Sequence, residues 1–199
     1  MKFFKENSYD IVRLLINQIG ITIFSMILYT AVGMVNLEAS TKLGINIALS
    51  VFAILFYFAL LYTVAWDWGA KDKIRIDSGR MEPIKFKGAK MAAIANIPNF
   101  VLTFICVATF AVYLIADNEV CYTISVILNT IIRLLMSMYL GLLQGTFSAL
   151  RSNTDMFYFA QAIGYFIIPV FGIAVTELGY FLGIKEKKIF SSKPKNYKK

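Results

Sequence analysis

The chain of 199 residues is 58% hydrophobic and only 16% charged, with a formal net charge of +8. Soluble domains carry about 25% charged residues, so this composition excludes an ordinary soluble fold and favours a membrane protein. The Lys and Arg residues flank apolar runs as interfacial anchors do, which argues against nucleic-acid binding. Histidine is absent and Cys106 and Cys121 form no CxxC pair, so we expect no metal and no other cofactor.

Apolar runs long enough to cross a bilayer occupy most of the chain. We therefore predict one all-α membrane domain, residues 1–184, built as a polytopic transmembrane helical bundle of about five segments. A basic connection at 67–90 separates the second and third segments. A lysine-rich tail at 185–199 follows the last, and we expect it to be disordered. The predicted segments are 11–36, 43–66, 91–116, 121–150 and 156–184.

The first segment follows a basic N-terminal flank, as the apolar region of a signal peptide would. Its apolar run is too long for that, and no small-residue cleavage site follows, so we interpret it as a retained helix. Basic flanks tend to stay on the cytoplasmic side. We expect a multi-pass protein of the cell membrane with its N-terminus and the 67–90 connection in the cytoplasm, and the acidic turn at 117–120 outside.

The basic connection alternates charged and apolar residues in "KIRI" and "IKFK", around the turn-like "DSGR". This pattern has four readings: a short β-hairpin, an interfacial segment bound to anionic lipid, a docking site for a cytoplasmic protein, or a solvated connector. The solvated connector is favoured. We expect anionic lipid to bind at this connection and at the lysine-rich tail.

The third segment carries Asn96, Asn99 and Thr103 at helical spacing, which predicts one polar face. Polar side chains in membrane helices usually join neighbouring helices by hydrogen bonds. We favour that role here, and the alternative is the lining of a hydrated cavity.

The fourth segment places Arg133 in the middle of an apolar run. Residues four apart share one face of a helix, so Arg133 lies on the same side as small and polar residues and need not face lipid. Small residues on one face let two helices approach closely. Asn129 precedes Arg133 on this face, and beyond them we predict a helix-packing stripe of Ser137, Gly141, Gly145 and Ala149.

An arginine at mid-membrane costs about 2.5–3.5 kcal/mol even on a lenient scale, so Arg133 should have a partner. Glu177 is the only acidic residue inside any predicted segment. Along antiparallel fourth and fifth helices, the two residues lie roughly 24 and 31 Å from the loop between them. We therefore predict a pair of Arg133 and Glu177, with Asn129 beside it. A structural salt bridge is favoured over an element of a gate or ion path.

The fifth segment contains Pro169 and Gly172 near its middle. Five crossings from a cytoplasmic N-terminus would put 11 Lys and Arg residues inside and 8 outside, a near tie. If the segment instead entered and turned back, the counts would be 18 and 1. Proline removes a helix hydrogen bond. We therefore predict a fifth segment that is kinked or re-entrant at Pro169, with the plain kinked helix favoured.

No phosphate-binding glycine loop, HExxH or GxSxG motif occurs, so we do not expect an enzyme. The first hypothesis is a helix-packing subunit of a transport or signalling assembly, bound to another membrane protein or to a second copy of this chain. The alternative is a small stand-alone channel or transporter with Arg133 and Glu177 in its path. The richness in Ile, Lys and Phe is typical of a small bacterial membrane protein.

Overall fold

The computed structural model describes residues 2–187. Single 3-10 turns, Ser137–Tyr139 and Ser148–Leu150, lie on either side of a short fifth helix, and the described residues include no β-strand. The predicted disorder of the tail falls largely on residues 188–199, outside the described range. The helices are α1 (Lys2–Met34), α2 (Ala39–Asp77), α3 (Lys87–Ala116), α4 (Glu119–Leu135), α5 (Leu140–Thr146), α6 (Thr154–Ile167) and α7 (Pro169–Ile184).

Four stretches are long and apolar enough to cross a membrane, which agrees with the predicted all-helical, multi-pass class. A fifth candidate exists only if α4 and residues 137–146 count as one span, and these are bent by 89°. Large apolar side chains cover much of the outer surface, as contact with lipid requires. The four stretches are Phe3–Met34, Ala39–Asp77, Lys87–Ala116 and Thr154–Ile184.

The long helices α2 and α7 run side by side in the same direction. Gly172 packs against Leu61 in the middle of α2, and Gly183 packs against Trp66 farther along. Helix α1 runs opposite to α2, because Tyr29 near its end contacts Ser50 near the start of α2. The start of α1, the 78–86 connection and the end of α7 therefore meet at one end of the bundle, which we call the basic end. We call the opposite end the far end.

Glycines allow α2 and α7 to approach at backbone distance. A Cβ atom at Gly69 would overlap the carbonyl oxygen of Tyr180, and one at Gly183 would overlap that of Trp66. A Cβ atom at Gly179 would lie 2.7 Å from the carbonyl oxygen of Tyr62. Small residues permit such close helix pairs in membranes. The glycine face of α7 thus contacts α2 of the same chain.

The basic connection is shorter than predicted. Helix α2 continues to Asp77 and α3 begins at Lys87, so only residues 78–86 are irregular. The β-hairpin reading is wrong, because "KIRI" forms the last turns of α2. The helix continues there because Trp68 is buried and because Lys71 and Lys73 pair with aspartates four residues away on the same helix, at 2.6 and 2.7 Å.

The fifth predicted segment is not re-entrant at Pro169. Helices α6 and α7 continue as one stretch, Thr154–Ile184, long enough to cross a membrane. The helical pattern is interrupted only at Ile168, and Pro169 is the first residue of α7. Proline is well tolerated at that position because a helix leaves its first N–H groups unpaired in any case. The re-entrant alternative is therefore wrong, the favoured single stretch agrees with the structure, and the chain is broken in the fourth segment instead.

Candidate functional site

The chain from α4 to α6 enters the bundle and returns to the same end. Helix α4 starts at the far end and packs antiparallel to α3, where the rings of Tyr113 and Tyr122 lie 4.7 Å apart. Deeper in the bundle, the thiol of Cys106 lies 3.6 Å from the carbonyl oxygen of Ser125. Helix α6 begins at the far end too, since Tyr113 donates a hydrogen bond to Asp155 at 3.2 Å. The α4–α5 segment is therefore re-entrant in shape.

The end of α4 inside the bundle is held by α1. The hydroxyl of Thr22 donates to the carbonyl oxygen of Leu135 at 2.7 Å. In return, the hydroxyl of Ser137 donates to the carbonyl oxygen of Thr22 at 2.9 Å. A helix end leaves carbonyl groups without partners, and their burial away from water is costly unless another group bonds them. These two bonds therefore stabilise the break at Met136.

The start of α5 is held by hydroxyl groups of α1 and α2. The N–H of Gly141 donates to the Tyr29 oxygen at 3.2 Å, and the N–H of Leu142 donates to the Ser50 oxygen at 3.0 Å. The Tyr29 and Ser50 hydroxyls also bond each other. Gly141 lies so close to α2 that a Cβ atom there would overlap the carbonyl oxygen of Asn46. Both ends of the break thus have bonding partners within this chain.

The predicted helix-packing stripe does not lie on one helix, because the chain bends between Asn129 and Gly141. Ser137 and Gly141 contact α1 and α2, and a Cβ atom at Gly145 would lie 2.5 Å from the side chain of Ile47. Ala149 is exposed in the Ser148–Leu150 turn. The close approach predicted for the small residues is present at Gly141 and Gly145. The helix they approach is α2 of the same chain.

Arg133 lies in the last turn of α4, just before the break, and is half-buried. Its guanidinium group lies over the ring of Tyr158, 5.7 Å from the ring centre. None of the ion pairs or hydrogen bonds found within residues 2–187 includes this side chain. Arg133 borders a cavity of about 300 Å³ between α1, α4 and α5, with Met26, Tyr29, Thr30, Thr130, Leu134, Ser137 and Leu140.

The predicted pair of Arg133 and Glu177 is wrong. Glu177 accepts a hydrogen bond from the N–H of Ala89 at 2.8 Å and lines a cavity at the basic end. The depth estimate assumed that the fourth segment is one straight helix. Because the chain turns back at Met136, Arg133 stays near Tyr158, in the second turn of α6. Glu177 lies about five helical turns further along, toward the other end of the bundle.

The interior between the helices contains polar atoms without a hydrogen-bond partner within residues 2–187. Asn129 is buried with its side-chain oxygen unpaired, and both polar atoms of Gln161 and the hydroxyl of Tyr165 are unpaired and fully buried. Gln161 and Tyr165 share the face of α6 that carries Tyr158 beside Arg133. An unpaired buried polar group costs about 1–3 kcal/mol, and such groups are normally satisfied by ordered water or a ligand.

The predicted polar face of α3 is buried, and its groups bond mainly within α3. Asn96 donates to the carbonyl oxygen of Ala92 at 2.9 Å, and Asn99 donates to the side-chain oxygen of Asn96 at 3.0 Å. Thr103 donates to the carbonyl oxygen of Asn99 at 2.7 Å. These bonds do not join α3 to another helix. The role favoured from the sequence, hydrogen bonding between helices, is therefore not what these three bonds show.

A buried ion pair at the basic end was missed from the sequence. The Lys87 ammonium group lies 2.7 Å from the Asp72 carboxylate, and their side chains are 8% and 4% exposed. Tyr180 of α7 donates to the same carboxylate at 3.0 Å, and Arg75 lies 3.7 Å from it. The sequence contains one signal: Asp72 follows Trp68 by four residues, which places both on one face of a helix. Reading 67–90 as a loop concealed it.

No family model, curated protein or solved structure matches the chain. Within residues 2–187, no three His, Cys, Asp or Glu side chains lie together in a way that could hold a metal ion. The arrangement at the break offers different chemistry. It has one cationic group without a counter-ion in the described part of the chain, a cavity beside it, and a helix that ends inside the bundle.

Proposed function

We propose that the protein is a small membrane transport protein, a channel or carrier, in which the re-entrant α4–α5 segment places Arg133 on the path of an anion. The observation that carries this proposal is the guanidinium group of Arg133, half-buried at the break and bonded to no carboxylate of residues 2–187. Charged residues within membrane segments are costly and commonly mark ion or substrate pathways.

The broken fourth segment supports the same proposal. Many transporters place their ion sites beside an interrupted membrane helix. Here α4 and α5 meet at such an interruption, and Arg133 lies one turn before it. The unpaired polar atoms of Asn129, Gln161 and Tyr165 offer further hydrogen-bonding groups in the interior.

We further propose that the basic end faces the cytoplasm of a cell-membrane protein. With four crossings and one re-entrant segment, the sequences flanking the basic end contain 17 Lys and Arg residues, and those flanking the far end contain 2. Positive flanks stay inside, so this arrangement satisfies the orientation rule better than five crossings do. Exposed lysines and the exposed Phe86 make the basic end suitable for anionic lipid.

The proposal is tested by reconstituting the purified protein in liposomes and measuring the transport of chloride, phosphate, small carboxylates and anionic amphiphiles. We expect flux of at least one anion in the native protein and its loss in Arg133→Ala. Arg151→Ala is the matched control, because Arg151 is exposed in the connection after the Ser148–Leu150 turn and should not alter flux. The proposal is overturned if neither the native protein nor any variant conducts anions, or if Arg133→Ala conducts as the native protein does.

The helix-packing subunit is a second candidate. Gly141 and Gly145 of the stripe that suggested it contact α2 of the same chain, but α1 carries two other glycines. Gly20 and Gly33 have open space around them, and a Cβ atom there would meet nothing within 4 Å. Exposed glycines on a membrane helix suit a close-packed neighbour. Extraction in mild detergent followed by native mass spectrometry tests this candidate, which requires a stoichiometric partner that Gly20→Leu releases.

A further inference from the structure

The cavity beside Arg133 continues into a second groove on the outer face of α1. The two share Met26 and Thr30, and the groove has a volume of about 520 Å³. Apart from Thr30, every residue that lines the groove is apolar: Ile23, Met26, Ile27, Ala31 and Met34. A cationic site and an open apolar groove therefore adjoin each other along α1.

This groove faces outward from the bundle. Ile23 is 53% exposed, Ile27 is 63% exposed and Met34 is 83% exposed. In a membrane-spanning helix, such a surface faces acyl chains, since no water is present in the hydrocarbon core. A molecule dissolved in the bilayer can therefore reach Arg133 from the side.

Arg133 supplies the available hydrogen-bond donors of the cavity. The hydroxyl of Thr30 already donates to the carbonyl oxygen of Met26 at 2.8 Å, and that of Thr130 donates to Val126 at 2.9 Å. The hydroxyl of Ser137 donates to Thr22. An arginine fork binds the two oxygens of a carboxylate or phosphate in parallel. The recognised group is therefore an anion, and one contact dominates its binding.

From these observations we infer that the ligand of this site is an anionic amphiphile of the bilayer, with its phosphate or carboxylate head on Arg133 and an acyl chain along α1. This inference rests on the proposed function and names its substrate class. A small hydrated anion would lose its water in a mostly apolar cavity for one cation. An amphiphile already resides in the bilayer, and its chain fills the apolar groove.

The inference is tested by native mass spectrometry of the purified protein with phosphatidylglycerol, with phosphatidylcholine as the neutral lipid. We expect tight binding of the anionic lipid and binding weaker by about tenfold or more in Arg133→Ala, since hydrogen bonds to charged groups are strong. Arg151→Ala should bind as the native protein does. Equal binding of both lipids by the native protein, or unchanged binding in Arg133→Ala, overturns the inference.

A second pair of variants examines the groove without touching the charge. Ala31→Trp fills the groove, and Ile16→Trp places the same side chain on an exposed part of α1 outside the groove. We expect several-fold weaker binding of phosphatidylglycerol in Ala31→Trp only. These variants keep Arg133, so they remain informative even if Arg133→Ala does not fold. Equal binding in the two variants overturns the inference.

Inorganic phosphate separates this inference from the proposed function. If millimolar phosphate displaces phosphatidylglycerol from the native protein, the head alone accounts for binding. The amphiphile inference is then overturned while anion transport stands. If phosphate does not displace the lipid, the inference is supported. If Arg133→Ala changes neither lipid binding nor anion flux, the inference and the proposed function both fail.

Discussion

The basic end of the bundle and the break in the fourth segment differ in how their charged side chains are paired. At the basic end, Lys87 and Asp72 are buried together, and Tyr180 completes the bonding of the carboxylate. At the break in the fourth segment, Arg133 is half-buried and has no counter-ion within residues 2–187. The first arrangement is complete within the chain. The second is incomplete within residues 2–187, and this difference is why we propose a ligand site at the break.

The backbone shows the same contrast. At the basic end, α2 and α7 touch through glycines, with no space for a Cβ atom at Gly69 or Gly183. Around the break, the helix ends are held by hydroxyl groups from α1 and α2, and cavities lie alongside. Close-packed interfaces tolerate little change, whereas a site that binds and releases a ligand needs space.

Removing one side of the buried ion pair should have the largest effect on stability. In Lys87→Met, the Asp72 carboxylate stays buried without its main partner, so we expect the free energy of unfolding to fall by about 3–5 kcal/mol. Denaturant titration of the detergent-solubilised protein measures this. Lys90→Met, at an exposed position one turn further along α3, is the control. Similar losses of unfolding free energy in the two variants would show that the buried pair contributes no more to stability than an exposed lysine does.

A single methyl group at the α2–α7 contact should have the next largest effect. In Gly183→Ala, the Cβ atom overlaps the carbonyl oxygen of Trp66, and we expect a loss of about 1–3 kcal/mol from overpacking. Gly20→Ala adds the same methyl group where nothing lies within 4 Å and should leave stability unchanged. Thermal unfolding followed by size-exclusion chromatography compares the two. Equal stability would contradict the close parallel packing of α2 and α7.

Loss of one hydroxyl at the break should have a smaller effect. Ser50→Ala removes the acceptor for the N–H of Leu142, and we expect a loss of about 1 kcal/mol, as for other helix N-terminal caps. Thr130→Ala, which removes an exposed hydroxyl bonded only within α4, serves as the control. Hydrogen exchange at the N–H of Leu142 should rise in Ser50→Ala and not in the control. Unchanged exchange would show that α5 does not depend on this bond.

Arg133→Ala should change stability least. Because no carboxylate among residues 2–187 pairs with Arg133, we expect the free energy of unfolding to change by less than about 0.5 kcal/mol, while anion flux is lost. The same titration used for Lys87→Met measures this. A loss as large as that of Lys87→Met would mean that Arg133 has a structural partner, and the contrast between the basic end and the break would disappear.

The sequence predicts the long helices well, because each is a long apolar run bounded by charged residues. It also predicts the buried polar side of α3, since Asn96, Asn99 and Thr103 recur at helical spacing. The sequence predicts the break in the wrong segment, the fifth instead of the fourth. Pro169 is the obvious local signal, yet it fits the first turn of α7, whereas residues 136–139 contain no proline. That break depends on hydroxyls of α1 and α2, which are distant in sequence.

The sites were only partly predictable for a related reason. Arg133 is recognisable because a lone charge in an apolar run is unusual. Its lack of a partner cannot be recognised from the sequence. The estimate of depth assumes a straight helix, and that assumption does not hold once the chain turns at Met136. The pair of Asp72 and Lys87 was concealed because both residues lie in a charged stretch. Only the continuation of α2 to Asp77 shows that one side of that stretch is buried.

The parallel course of α2 and α7 also constrains the order in which the bundle is assembled. Lys87 follows Asp72 by 15 residues, so their pair can form soon after α3 is synthesised. Tyr180 follows Asp72 by 108 residues. The surface of α2 that α7 covers therefore stays uncovered until α7, the last helix, has been synthesised. At about 5–20 residues per second, that interval is on the order of ten seconds. During synthesis, Gly69 is therefore exposed to lipid or to the insertion machinery, and a ribosome stalled before α7 would leave an incomplete bundle.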